Sequence, residues 1–170
     1  MTSLERNTLA EFAAELAALK SRVTELEDRE AIRNAIASYG PAVDSNRVHD
    51  AANLWTSDGA YEVAGFGSHT GPVAISALLQ ADYHQQLLRD GCAHILSPLQ
   101  INLQGDRAVA LGYSCVLRHS AGAYTTERAS ANRWELRKHI GEQGSAWLVT
   151  RRLNALLDGG AAGQAVLRFE

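Results

Sequence analysis

Helical patterning fills the first half of the chain and turn-separated strands fill the second. That order predicts an α+β fold, with helices segregated onto one face of an antiparallel sheet. Apolar residues recur at helical spacing in most segments up to residue 90, apart from a short hairpin. Strand-like segments divided by glycine-bearing turns then run from 93 to 156, and no helical pattern interrupts them. A strongly curved, mainly antiparallel (mixed) sheet with helices packed across its open side makes a cone, and a cone has a pocket inside.

Leu9, Phe12, Leu16, Leu19, Val23 and Leu26 fall at steps of 3, 4, 3, 4 and 3, a heptad-like stripe on a helix. At about two and a half heptads the stripe is short for a free-standing coiled coil. The helix is therefore expected to pack on its own domain or on a neighbouring subunit. The phase breaks at LEDRE, and a second helix resumes with Ala31, Ile32, Ala35 and Ile36, capped by Asp28. Pro41 lacks an amide hydrogen and is expected to kink or end this helix near Tyr39. VHDAANLW reads as a short third helix, SDG as a turn, and AYEVAGFGSHTG as a hairpin with strands at 60–64 and 67–70. GPVAISALLQADYHQQLLRD reads as one helix with Pro72 in its first turn. Strands at 93–103, 107–119, 122–138 and 146–156 follow, with SAGA and GEQGS as turns between the last three. The tail DGGAAGQAVLRFE reads as flexible. The expected organisation is an N-terminal helix over 1–27, one domain over 28–157 and a tail over 158–170.

Composition narrows the function. The 170 residues suit a single domain with a substantial core. A formal net charge of -3 gives no basic field for nucleic acid or an anionic membrane. No apolar run approaches a membrane span and MTSLERNTLAEF has no signal-peptide core, so a cytoplasmic location is the default expectation. Cys92 and Cys115 form no metal spacing and read as free thiols. HExxH, GxSxG and dinucleotide-loop patterns are missing, since GFGSHTG does not lead from a strand into a helix. The remaining chemistry is acid–base work without a cofactor or metal.

Among the six histidines, His49, His119 and His139 sit beside charged or turn residues and read as solvated. His69 lies near a hairpin end, and His84 on its helix could point either way. His94 opens a strand in CAHILSPLQINL and shares a face with Leu96 and Pro98. It is either a pocket histidine or a core histidine held by one hydrogen bond. Asp44, in SYGPAVDSN, is either a turn cap or a buried acid that needs a distant partner. On the last strand, alternation puts Trp147, Val149, Arg151 and Leu153 on one face and Leu148, Thr150, Arg152 and Asn154 on the other. The second face is more polar, which makes Arg152 a candidate for an anionic or oxygen-rich ligand.

Together, the order of elements and these residues resemble the SnoaL-like branch of the NTF2-like superfamily, over about Leu26 to Leu157. The pattern is nearest to γ-hexachlorocyclohexane dehydrochlorinase, bile acid 7α-dehydratase and, more distantly, scytalone dehydratase. The resemblance implies a cystatin-like α+β barrel, an Asp–His dyad at Asp44 and His94, an arginine at Arg152 in WLVTRR, and a tyrosine at Tyr39. It implies that Asp44 orients His94, that His94 acts as general base, that Tyr39 donates a hydrogen bond, and that Arg152 stabilises developing negative charge. Trp55, Tyr61, Tyr83 and Asn154 are the candidate substrate contacts. Tyr39 and Asp44 lie roughly 140° apart on an ideal helix, so a Gly-Pro break is expected to bring both to one site. The implied activity is a cofactor-independent β-elimination, of dehydratase type, on an apolar ring or aromatic small molecule. The same dyad serves isomerisation, aldol-type cyclisation or formaldehyde-releasing carbon–carbon cleavage, and a non-catalytic binding module can use the same cone. The stripe implies a homo-oligomer, and the resemblance implies a trimer.

Overall fold

The computed structural model describes residues 3–142 and 144–169, with side chains from Thr8 onward. Helix α1 runs unbroken over Ser3–Asp44, roughly 60 Å of helix. Its two halves differ in kind. In the first, Leu9, Phe12, Leu16, Leu19, Val23 and Leu26 are all at least half exposed. In the second, Ile32, Ile36, Tyr39 and Val43 follow the i, i+4, i+7, i+11 rule and are buried. Ala31 of the expected face is exposed.

Two boundary expectations fail on this helix. Asp28 caps nothing. It sits mid-helix and accepts hydrogen bonds from Lys138 Nζ and Trp147 Nε1, both at 2.9 Å, which ties α1 to the sheet. Pro41 does not end the helix either. A proline costs a helix interior about 3 kcal/mol, but the turn around it buries Tyr39, Ala42 and Val43, and that packing outweighs the cost. The stop comes at Asn46, in the left-handed region at φ 56°, with the amide of Arg47 donating back to the Ala42 carbonyl.

Helix α2 (Val48–Ala52) leads into β1 (Trp55–Val63), β2 (Gly67–Thr70), α3 (Gly71–Gln80) and α4 (Asp82–Asp90). SDG is no turn: Ser57, Asp58 and Gly59 lie within β1, where the pairing register shifts between Trp55 and Ala60. The single helix expected after Gly71 is two, because Ala81 is extended at ψ 150°. Alanine has no propensity for that break. It re-aims α4, so that His84 and Leu87 are buried.

The expected strand 93–103 is also two, β3 (Cys92–Leu96) and β4 (Gln100–Gln104), parted at Pro98, which has no amide to give a ladder. Both pair with β5 (Arg107–Ser120), followed by β6 (Ala123–Gly141) and β7 (Gly144–Leu156). SAGA turns with both Ala121 and Gly122 at positive φ, while GEQGS includes Gln143, outside the described residues. The curved, unclosed sheet has the order β2-β1-β7-β6-β5-β3, with β4 also on β5. It is mixed, since β1 runs parallel to β7. The tail carries α5 (Ala161–Val166), whose Gly163 is buried against Leu156. No described helix is long and apolar enough to cross a membrane.

Candidate active site

β7 decides which arginine turns inward. Strict alternation would put Arg152 opposite Trp147 and Val149. Instead, Glu135 pairs with Arg151 while its neighbour Leu136 pairs with Val149, so Thr150 is an extra residue in the ladder. Its hydroxyl donates to the Glu135 carbonyl at 3.1 Å. The bulge resets the phase, and Trp147, Val149, Arg152 and Asn154 all lie buried on one side. The two faces expected from the sequence are corrected accordingly.

Arg152 is 2% exposed. Its guanidinium carbon stands 3.9, 4.4 and 4.5 Å from the ring centres of Trp134, Tyr39 and Tyr61. Nε and Nη2 both donate to Asn132 Oδ1, at 3.1 and 2.8 Å. Asn154 Nδ2 donates to the same oxygen at 2.9 Å, and Asn132 Nδ2 donates to Ser114 Oγ at 2.8 Å. Arg152 Nη1 has no partner among the described residues. A buried guanidinium with a donor unspent is placed to receive an oxygen from a ligand.

Asp44, at the end of α1, meets His94 on β3 through both oxygens. The His94 amide donates to Oδ2 at 2.8 Å, and ring Nδ1 lies 2.6 Å from Oδ1. The helix needs no break for this, because Asp44 reaches β3 from the last turn while Tyr39 projects into the core. Burial pushes the Asp44 carboxyl up, but the hydrogen bonds from His94 and Cys92 outweigh it and hold the group below its ordinary value. An ionised Asp44 at Oδ1 draws the ring proton to Nδ1 of His94 and leaves Nε2 turned away from the carboxylate. Burial drives the Tyr39 phenol well above the tyrosine range, so it stays protonated and able to donate.

Asp44, Cys92 and His94 also present ligand-type atoms within 4.8 Å of one another. Two ligands on tetrahedral zinc stand roughly 3.4 Å apart. The 2.6 Å Asp44–His94 contact is instead a direct hydrogen bond. Burial, with Asp44 beside it, pushes the Cys92 thiol up to about 11, so it stands as a thiol beside the dyad at neutral pH.

Tyr39, Tyr61, Tyr83, His94, Arg152 and Asn154 line one cavity of about 780 Å³, counting its open mouth. Asp44 stands behind His94. Trp55 is not in the wall: it is 2% exposed and packs beneath Tyr39 and Tyr61, with ring centres 5.9 and 5.4 Å away. Pro98 leaves the face of His94 and Leu96, since the strand ends at Leu96. Val63, Phe66, Leu78, Leu79 and Leu87 make much of the wall apolar. At the mouth, the rings of Phe66 and Tyr83 are 5.2 Å apart, and Tyr83 donates to Glu127 at 2.9 Å.

The sequence reading missed Arg128, Ser114 and the inward turn of His84. Arg128, Ser130, Asn132 and Trp134 form a period-two row on β6, a signal that was present. Arg128 donates to Asn154 Oδ1 at 2.8 Å and to the Ala64 carbonyl at 2.9 Å.

Comparison with known proteins places this geometry. No functionally curated protein matches the chain. An NTF2-like protein with a cystatin-like fold from Novosphingobium aromaticivorans is 45% identical, covering 91% of this chain and 97% of its own, at a TM-score of 0.85. A Mycobacterium tuberculosis protein of unknown function is 22% identical over 84% of this chain and 85% of its own, at 0.67. A type 2 hexachlorocyclohexane dehydrochlorinase is 17% identical over 80% and 89%, also at 0.67. These last two share the fold. Residues 24–153 match the SnoaL-like domain family. With that match spanning most of the chain, and with an NTF2-like, cystatin-like fold, the protein belongs to the SnoaL-like domain family.

Proposed function

We propose that the protein is a cofactor-independent lyase that removes water from a mainly apolar ring or aromatic molecule by β-elimination. The contact of Asp44 with His94 carries this reading, because it holds the imidazole by Nδ1 and leaves Nε2 free in an apolar cavity. In the proposed reaction, Nε2 takes a proton from a carbon next to a carbonyl, enone or aryl group. The C–H electron pair forms the new double bond and the β-hydroxyl departs, taking up a proton to leave as water. Asp44 stabilises the imidazolium formed, as the acid does in hydrolase triads. Tyr39 and Arg152 supply hydrogen bonds where charge builds on the oxygen.

The test is a screen of hydroxylated ring compounds, read by mass spectrometry for loss of water. Release of formaldehyde in the same screen would assign the dyad to carbon–carbon cleavage instead. Ligand binding without turnover across the panel, unchanged in His94→Ala, would make the protein a binding module and overturn the lyase reading.

The reading extends to assembly. The apolar stripe on α1 is at least half exposed among the described residues, and we propose that it joins copies of the protein as a homotrimer.

A further inference from the structure

His84 takes no part in the elimination chemistry, yet it stands in the wall of the same cavity. It lies in the first turn of α4, 7% exposed, with its ring centre 5.5 Å from that of His94. The backbone carbonyl of Val43 stands beside the ring as a hydrogen-bond acceptor. Nε2 has no partner among the described residues, and with the ring proton on Nδ1, beside that carbonyl, it carries a lone pair. Burial first, then the neighbouring His94, holds its pKa below the ordinary histidine value, against the opposing pull of the Val43 carbonyl and Asp44. The ring is therefore neutral at pH 7. A buried acceptor left without a donor is destabilising, because the water it gave up is not replaced. Leu78, Leu79 and Leu87 of the same wall have no side-chain donor to give. Arg152 Nη1 is the opposite case, a buried donor without an acceptor. Besides His94 Nε2, the cavity thus carries two fully buried polar atoms without partners, of opposite polarity.

The geometry points to His84 as a specificity residue. Its Nε2 accepts a hydrogen bond from a ligand hydroxyl while Arg152 Nη1 donates to a second oxygen, so the cavity selects ring compounds bearing both a free hydroxyl and a carbonyl or ionised oxygen. This deepens the lyase reading by naming the ligand class, and it rests on that reading only in sharing its cavity.

Binding of 4-hydroxybenzophenone, its methyl ether and benzophenone, followed by calorimetry, tests it. The methyl ether keeps the oxygen as an acceptor and loses only the donated hydrogen. The wild-type protein is expected to bind the phenol about tenfold more tightly than either analogue, the worth of one hydrogen bond to a buried acceptor. His84→Asn keeps an amide near Nδ1 but has no acceptor at Nε2, and its ratio is expected to fall to about one. His84→Gln, which can place an amide oxygen near Nε2, is expected to recover part of the preference. If circular dichroism shows H84N unfolded, H84F gives the same reading. No preference in the wild type, or an undiminished preference in H84N or H84F, overturns the proposal. Loss of the ratio in the His84 variants bears on His84, whereas loss of turnover in His94→Ala bears on the lyase chemistry.

Discussion

Gly40 of α1 lies so close to the backbone of His94 that a Cβ on it would collide with the His94 carbonyl oxygen. Helix and strand can approach this closely only because residue 40 has no side chain, and the same approach brings Asp44 within reach of the imidazole. A backbone oxygen held in a strand cannot swing aside as a flexible side chain would. Gly40→Ala is therefore expected to lose about 1–3 kcal/mol of stability, even though alanine is the better helix former. Turnover should fall with it. A urea midpoint at the wild-type value would show that α1 and β3 can separate without cost.

Asp44→Asn removes the charge that orients and balances His94, while keeping the shape of the side chain. We expect kcat to fall by about 10²–10⁴, with a folded protein that has lost the modest stability the ionised carboxylate contributes. His94→Ala is expected to cost at least as much. The double variant should be scarcely worse than His94→Ala, because the two residues act as a unit. Additive losses in a double-mutant cycle would contradict the shared role.

How far the sequence disclosed this site depended on whether a feature was local. The helical face of Ile32 and Ile36, the β5–β6 turn and the antiparallel order of the last strands follow from spacing and turn chemistry alone. Spacing left Asp44 open between a turn cap and a buried acid; only the resemblance paired it with His94. The inward turn of Arg152 depends on the bulge at Thr150, a property of two paired strands that period-two counting along one strand cannot contain. The continuity of α1 through Pro41 and the break at Ala81 are likewise settled by burial, against local propensity. His84 had a leucine three residues on, a hint of an inward face, but its unspent Nε2 is visible only in three dimensions.

Acid should reveal the two partly buried carboxylates, Asp28 and Asp44. Burial raises the Asp28 and Asp44 carboxyls, and their hydrogen bonds, chiefly to Lys138 and Trp147 for one and to His94 for the other, bring both below the ordinary value of 3.8. A depressed folded-state pKa contributes stability above the unfolded value, and that contribution is lost as pH falls through the folded value. Urea midpoints should therefore hold down to about pH 4 on this account and decline below it. Asp28→Asn should lower stability at neutral pH and flatten the decline. A decline as steep in Asp28→Asn as in the wild type would remove Asp28 from the explanation.

The apolar stripe on α1 makes the last prediction. Leu9, Phe12, Leu16, Leu19, Val23 and Leu26 are 50–65% exposed in the single chain, in heptad register, and none lines the cavity. Burying a large apolar side chain contributes about 1.5–3 kcal/mol, so the stripe offers ample driving force for association. Two and a half heptads would be marginal for isolated peptides. Here the helix is continuous with a segment already fixed in the domain by Ile32, Ile36 and Asp28, so much of the ordering cost is met by folding. Light scattering on the purified protein is expected to give the mass of three chains. The double variant Leu16→Glu and Val23→Glu places charges in the seam and should yield single chains that keep their ligand affinity. A wild-type protein with the mass of one chain would remove any role for the stripe in assembly.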